Sequence, residues 1–412
     1  MSEPHERWRV GPLRDPEFKK VSVLIATAMI DMIGFAIIFP LLPFYAIELN
    51  ASPFAIGWIM ASFSVAQLAS APLWGRVSDR HGRRPAVLAG LAASGIAYLV
   101  FGYATSLWVL LLSRLVQGAG GGTTAVLHAY VGDAIRPERR AQALGWISAA
   151  TGLGVSVGPL IGSWAVKYGT AVPGMVAAGL CLLNFVFTWK WLPESRIREA
   201  GDAARPRRSI RAAFATVVRR PRETVSRLVW IYGAGMLGFS AMTSVFALYL
   251  HDRFAITADK IGPFFTYLGL LNFGMRAIVL GPAVRRLGET GAIRLGTITL
   301  VVGLVAYPLV PSLMILPLVM LLMPIGTALL FPSTTALMTK YSDPSALGTT
   351  MGVAQAFAGT SRVVAPLAAT FLFQRLGAGT PFYVAAAIVA MVGLLAFQLP
   401  DRPAGPQSDE SG

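Results

Sequence analysis

Charge is scarce in this chain. Only 13% of its 412 residues are Asp, Glu, Lys or Arg, while 55% are hydrophobic and the mean hydropathy is +0.61. Soluble domains carry about 25% charged residues, so the balance excludes one and indicates an integral membrane protein. Cysteine is nearly absent: Cys181 stands alone inside an apolar segment, which rules out a disulfide framework. The four histidines, His5, His81, His128 and His251, show no metal-ligand spacing. His128 could relay protons from the inner end of a span, but a packed or water-bonded imidazole is the simpler reading. No nucleophile–base or metal pair stands out, so neither an intramembrane enzyme nor a bound cofactor is expected. The glycine run Gly118 to Gly122 lacks the lysine and strand context of a phosphate loop.

What charge there is leans one way, to a net +15. Its placement argues against nucleic acid. Of the 35 Lys and Arg, 28 fall in tails and alternate loops that would share one side, and only Lys167, Arg253, Lys260 and Arg375 fall in the opposite loops. That is the positive-inside pattern with both termini in the cytoplasm, and no nucleic-acid partner is expected. The remaining three, Arg114, Arg276 and Arg362, lie inside apolar segments.

Apolar segments fall near 21–45, 54–75, 85–104, 107–130, 141–166 and 171–192, then near 228–250, 260–281, 291–310, 313–338, 347–373 and 381–399. In lipid such runs are helices, being too long for barrel strands. The first is also too long for the core of a cleaved signal peptide. The expectation is an all-α membrane protein of twelve spans in two six-helix pseudo-symmetric bundles. Residues 1–192 make the first with a cytoplasmic tail, 193–227 a basic cytoplasmic linker, and 228–412 the second with a short tail. The halves read as repeats. Ile56-Gly57, Gly75 and Gly82 recur as Ile261-Gly262, Gly281 and Gly288, and Gly158-Pro159 recurs as Ala365-Pro366, at a nearly constant offset. Parallel repeats of this kind place a substrate site at their interface near the midplane. Within the linker, Ile210, Ala213, Phe214, Val217 and Val218 keep helical spacing after Ser209, a candidate cap. This predicts an amphipathic helix over about 209–220, lying on the inner membrane surface with its arginines toward anionic lipid.

The first span carries a carboxylate, Asp31, about 15 Å from its cytoplasmic end. An acid at that depth is costly and marks a functional site by default; the alternative is a polar packing residue tied to a neighbouring donor. Arg114, in the fourth span, lies about 10 Å in from the outer side, within an arginine's reach of Asp31. The two are expected to interact directly or through water and to serve proton coupling. Burial and a guanidinium act oppositely on a carboxyl group, so a small change in hydration would trigger protonation.

Short motifs then accumulate. Between the second and third spans runs Gly75-Arg-Val-Ser-Asp79-Arg80-His-Gly82-Arg83-Arg84, which closely resembles the signature loop of the major facilitator superfamily. Arg114-Leu-Val-Gln117-Gly118 and Gly154-Val-Ser-Val-Gly158-Pro159-Leu-Ile-Gly162 resemble its second motif and its antiporter motif. Asp31, Gly34, Pro40, Leu42 and Pro43 resemble the first span of drug:proton antiporters, tetracycline exporters above all. The resemblance implies that Asp79 faces the start of span eleven near Ala346–Gly348, that Arg83 pairs with Asp133, and that both contacts latch the protein while it opens outward. In the second half the loop Gly281-Pro-Ala-Val-Arg285-Arg286-Leu-Gly288 has arginine where the acid would be, which puts a symmetric second latch in doubt. Where tetracycline exporters carry an Asp in span three, this chain has Ala97, which leaves tetracycline open as a substrate.

The resulting expectation is a proton-coupled exporter of a small amphiphilic, drug-like molecule by alternating access. It would be a monomer in the cytoplasmic membrane of a bacterium, using the proton gradient in place of a cofactor. Phe35, Phe239 and Phe357, with Gln67, Gln117, Asn272, Gln355 and Arg362, are expected to line the cavity. Arg276 is expected to snorkel to the inner end of its span. Arg362 has an alternative as the cap of a carbonyl or a partner of Gln355. A metabolite exchanger or uptake symporter would use the same frame. A non-transporting receptor or scaffold would have no need of the gating loop or the intramembrane acid.

Overall fold

The computed structural model describes residues 16–195, 210–343 and 346–400. Residues 1–15 and 401–412 of the tails, and 196–209 of the arginine-rich linker with Ser209, lie outside the described residues. Within the described residues the chain forms sixteen α-helices: α1 (Pro16–Ile38), α2 (Leu42–Glu48), α3 (Pro53–His81), α4 (Arg83–Gly102), α5 (Leu107–Gly120), α6 (Thr123–Ala134), α7 (Pro137–Ala165), α8 (Val172–Trp191), α9 (Ile210–Arg219), α10 (Thr224–Phe254), α11 (Gly262–Gly274), α12 (Leu280–Ala306), α13 (Leu316–Met320), α14 (Leu322–Tyr341), α15 (Leu347–Leu376) and α16 (Thr380–Gly393). No strand occurs among the described residues.

Among the described residues, ten helical stretches are long and apolar enough to cross a membrane. The difference from the twelve expected segments arises at two places. The segment near 107–130 is divided at Gly120-Gly121-Gly122 into α5 and α6, each too short to span. Three glycines in a row are poor helix formers. A break inside lipid also needs partners for the freed carbonyls, and α3 supplies them. Gln67 Nε2 donates to Gly121 O (3.1 Å), Ser70 Oγ to Gly118 O (3.4 Å) and Trp74 Nε1 to Ala119 O. Conversely, residues 262–309 run as one helical stretch in which two helices are joined only by a one-residue turn. The expected loop from Gly281 to Gly288 is helix up to Leu287, and the chain turns at Gly288 alone, with φ +70°. A π-turn at Met275–Val279 interrupts it further up.

The chain divides into two units. The first comprises Met1–Ala51, Ser62–Ala200 and Thr257–Leu270; the second comprises Ser52–Ala61, Gly201–Ile256 and Leu271–Gly412. In the first, α1 lies along α7 because Gly154, Gly158 and Gly162, four residues apart, present no side chain to it. A Cβ at Gly158 would stand 2.6 Å from the Ala36 Cβ, and one at Gly162 would stand 2.6 Å from the Ile37 carbonyl. Small faces of this kind let membrane helices approach closely.

The internal repeat is written in the backbone. Among the described residues, those with positive φ are Asn50 and Ala255, Gly82 and Gly288, and Gly169 and Gly377, pairs spaced 205, 206 and 208 residues apart. Packing repeats as well. In the first unit Gly262 abuts the Pro159 carbonyl, and in the second Gly57 abuts the Pro366 carbonyl.

The linker helix α9 forms at the expected place, and one edge of its apolar face packs on protein. Val217 is buried, Trp230 Nε1 donates to its carbonyl (3.4 Å), and the Phe214 ring lies 4.9 Å from that of Phe357. Helices α10 and α15 therefore cover part of the apolar stripe, while Phe214 and Val218 stay exposed.

Candidate functional site

Asp31 sits one turn before Gly34 on α1, so both occupy the same side of the helix. A Cβ at Gly34 would lie 3.2 Å from Cε2 of Tyr98, which brings the Tyr98 ring of α4 against the face that carries the acid. Tyr98 is 1% exposed, and the charges of Asp31 and Arg114 both act on its hydroxyl. From α5, Gln117 Nε2 donates to that hydroxyl at 2.7 Å, while its Oε1 accepts from Arg114 Nη1. Arg114 and Gln117 are three residues apart and so share one helix face. The Arg114 guanidinium lies 4.8 Å from the Phe63 ring centroid and 5.9 Å from that of Phe35, placements that suit a cation over an aromatic face.

The expected direct link between Asp31 and Arg114 is not made. Among the described residues neither an ion pair nor a hydrogen bond joins them, because Gln117 and Phe63 hold the guanidinium and Tyr98 stands within range of both charges. Asp31 is 8% exposed and has no ionic partner among those residues, and Arg114 Nε is buried without an acceptor. Tyr98 was not singled out in the sequence. Its one signal was position, immediately after Ala97, where the resembling family keeps an acid.

The other expected cavity residues scatter. Phe35 is half-buried and packs on Phe63, and Phe239 is half-buried on α10. Gln67 bonds the α5–α6 break, and Asn272 donates to Thr327 Oγ1 at 3.2 Å. Gln355 and Arg362 are exposed on α15. Phe357 is 9% exposed and packed between Phe214, Trp230 and Gly233.

At the other end of the unit, Arg83 gathers the gating residues. Its Nε donates to Asp133 (2.7 Å), and its Nη1 donates to Asp79 (2.8 Å) and to Ser78 Oγ (2.9 Å). Gly82 takes φ +104° to make the turn, and Gly75 and Arg80 are exposed. A carboxylate that sequence reasoning missed completes the loop. Glu194 accepts from the backbone N–H groups of Arg83 (2.8 Å) and Arg84 (3.1 Å), capping α4, and a Cβ at Gly82 would collide with it. Its signal was an acid directly beyond the sixth apolar segment, in Leu192-Pro193-Glu194-Ser195.

The family model of the Major Facilitator Superfamily matches residues 24–326 and 311–412. The chain belongs to that superfamily. It is therefore a multi-pass membrane transporter rather than an enzyme. Among curated relatives, the chain is 30% identical to the class B tetracycline resistance protein of Escherichia coli over 67% of this chain and 69% of that one. The class D protein of Salmonella ordonez is 27% identical over 91% and 95%. Among solved structures, that of the human organic anion transporter MFSD10 has a TM-score of 0.69 at 23% identity, covering 93% of this chain and all of that one, a likeness of fold.

Proposed function

We propose that this transporter exports a small amphiphilic, drug-like molecule from a bacterial cytoplasm in exchange for protons. The observation that carries the reading is Asp31, buried in a span and without an ionic partner among the described residues, beside the Tyr98–Gln117–Arg114 chain. An ionised carboxylate there needs water or a cation, whereas its acid form needs neither. A proton and a substrate would then each favour release of the other, which is what antiport requires. The relatives named for tetracycline resistance, and the Bacillus subtilis multidrug resistance protein 2, support the drug-like cargo. The glycine face of α7, lying against the helix that carries Asp31, supports exchange over uptake by its likeness to the antiporter motif.

In this reading the chain passes the bilayer twelve times with both termini inside, acts as a monomer without a cofactor, and uses the Arg83 cluster as its cytoplasmic latch. The two bundles with their basic linker are the moving parts of alternating access. The test is transport in proteoliposomes under an imposed pH gradient. A panel of drugs chosen from a susceptibility screen of a pump-deleted bacterium would be compared between the wild type and Asp31→Asn. Gradient-driven accumulation is expected in the wild type and is expected to vanish in Asp31→Asn. Full retention of gradient-driven transport by Asp31→Asn would refute the assignment.

A further inference from the structure

Two arginines of the second unit have no role in this scheme. Arg362 is the sixteenth of the 30 residues of α15. Arg276 lies within the π-turn, fourteen residues after the start of α11 and twelve before the turn at Gly288. That places it about 21 Å along the helix from the start of α11. Both side chains are exposed at these depths, and neither makes an ion pair or hydrogen bond among the described residues.

Tyr232 is the group whose charge each of them senses. Ser361 Oγ donates to the Gly233 carbonyl at 2.9 Å, which brings the part of α15 that carries Arg362 to the level of Tyr232 on α10. On the other flank, Asn272 binds Thr327. One turn further along each helix come Arg276 and Phe331, and the Phe331 ring packs 5.3 Å from that of Tyr232. Tyr232 lies within electrostatic range of each guanidinium, and no acid is set against either among the described residues. A π-turn adds one residue to a helix and so rotates the side chains on either side of it, and such turns are frequent at functional sites. Here it falls on Arg276.

Two unpaired cations at mid-span are costly unless an anion joins them. Guanidinium forks match a carboxylate in geometry as well as charge. Resting on the export reading above, we propose that Arg276 and Arg362, with the Tyr232 hydroxyl, clamp a carboxylate of the transported amphiphile. The cargo class is thereby narrowed to organic anions, with aromatic side chains such as Phe331 receiving the apolar body.

Binding tests the clamp independently of transport. Dansylglycine and its uncharged amide share one fluorescent body and differ at the carboxylate. Each is titrated into the detergent-purified transporter and monitored by energy transfer from tryptophan. The wild type is expected to bind the acid at least about tenfold more tightly than the amide. Arg276→Gln and Arg362→Gln should each cut that preference about tenfold while leaving amide affinity unchanged, and Arg362→Lys should restore part of it. Asp31→Asn should keep the full preference, so failure of the proton-coupling assignment would leave this result standing. Equal binding of acid and amide by the wild type would overturn the proposal. So would an unchanged preference in the two glutamine variants, or equal loss of both probes, which would mark the arginines as packing residues.

Discussion

The contact between α1 and α7 can be tested with one methyl group. In Gly158→Ala the new Cβ would stand 2.6 Å from the Ala36 Cβ and 2.7 Å from the Ile33 carbonyl oxygen. Carbon atoms rest at about 3.5–4.0 Å, so the helices must part by roughly 1 Å at this point. Overpacking of this degree costs about 1–3 kcal/mol. The control lies on the same helix: Gly145 has nothing within 4 Å of its Cβ position. Gly145→Ala is therefore neutral, or stabilising by up to about 1 kcal/mol through helix propensity. That propensity gain is common to both positions, so the same chemical change should differ between them by the overpacking cost, about 1–3 kcal/mol. The assay is the fraction of monodisperse protein surviving a temperature series in detergent, scored as the difference between variants because unfolding here is expected to be irreversible. A midpoint several degrees lower for Gly158→Ala than for Gly145→Ala is expected. Equal midpoints would refute the close contact and with it the placement of Asp31. Gly154→Ala extends the reasoning to function. Its Cβ would press on Met29, Met32 and Ile33, which bracket Asp31, so transport should fall by more than stability does. The triple alanine variant should cost less than the three singles together, since helices parted once make room for all.

Two more outcomes are expected from the polar contacts. Tyr98→Phe removes the oxygen that accepts from Gln117 at 2.7 Å, leaving a buried amide short of a partner; a loss of about 1–3 kcal/mol in thermal stability is expected, with impaired gradient-driven transport. Unchanged values for both would remove Tyr98 from the site. Glu194→Ala uncaps α4 at Arg83 and Arg84, expected to cost about 0.5–2 kcal/mol and to speed amide hydrogen exchange in the first turn of α4. Exchange unaltered there would show that the cap contributes nothing.

The helical class was legible because lipid leaves few alternatives: a long apolar run must satisfy its own backbone. The sequence also located α9 from its spacing and the Arg83 neighbourhood from its glycines and charges. It could not give the surface that α9 covers, since an apolar stripe reads alike whether lipid or protein lies beneath it. Nor could it find Tyr98 or Glu194. Tyr98 is one aromatic among many in apolar runs, and Glu194 acts on a loop more than a hundred residues away. For a related reason the neighbours of Phe357 were not legible: a sequence does not say which rings will pack against one another.

The two departures from the expected helices coincide with the polar chemistry. Both fall where a helix is interrupted: at Gly120-Gly121-Gly122 just beyond Arg114 and Gln117, and at Met275–Val279 around Arg276. An interruption leaves backbone groups that lipid cannot satisfy, so it survives only where neighbouring side chains do so. At the first break Gln67, Ser70 and Trp74 perform that task, which is why Gln67 is engaged with backbone. Periodicity and hydropathy average over whole turns, and they smooth away a single glycine step or one inserted residue. Yet those local steps decide which way an arginine points. A scan for glycine runs next to intramembrane cations would have marked the first break, whereas Met275–Val279 contains no glycine or proline to mark the second. There the electrostatic reach of Tyr232 to Arg276 and Arg362, which come from three helical segments, is legible only in the folded chain.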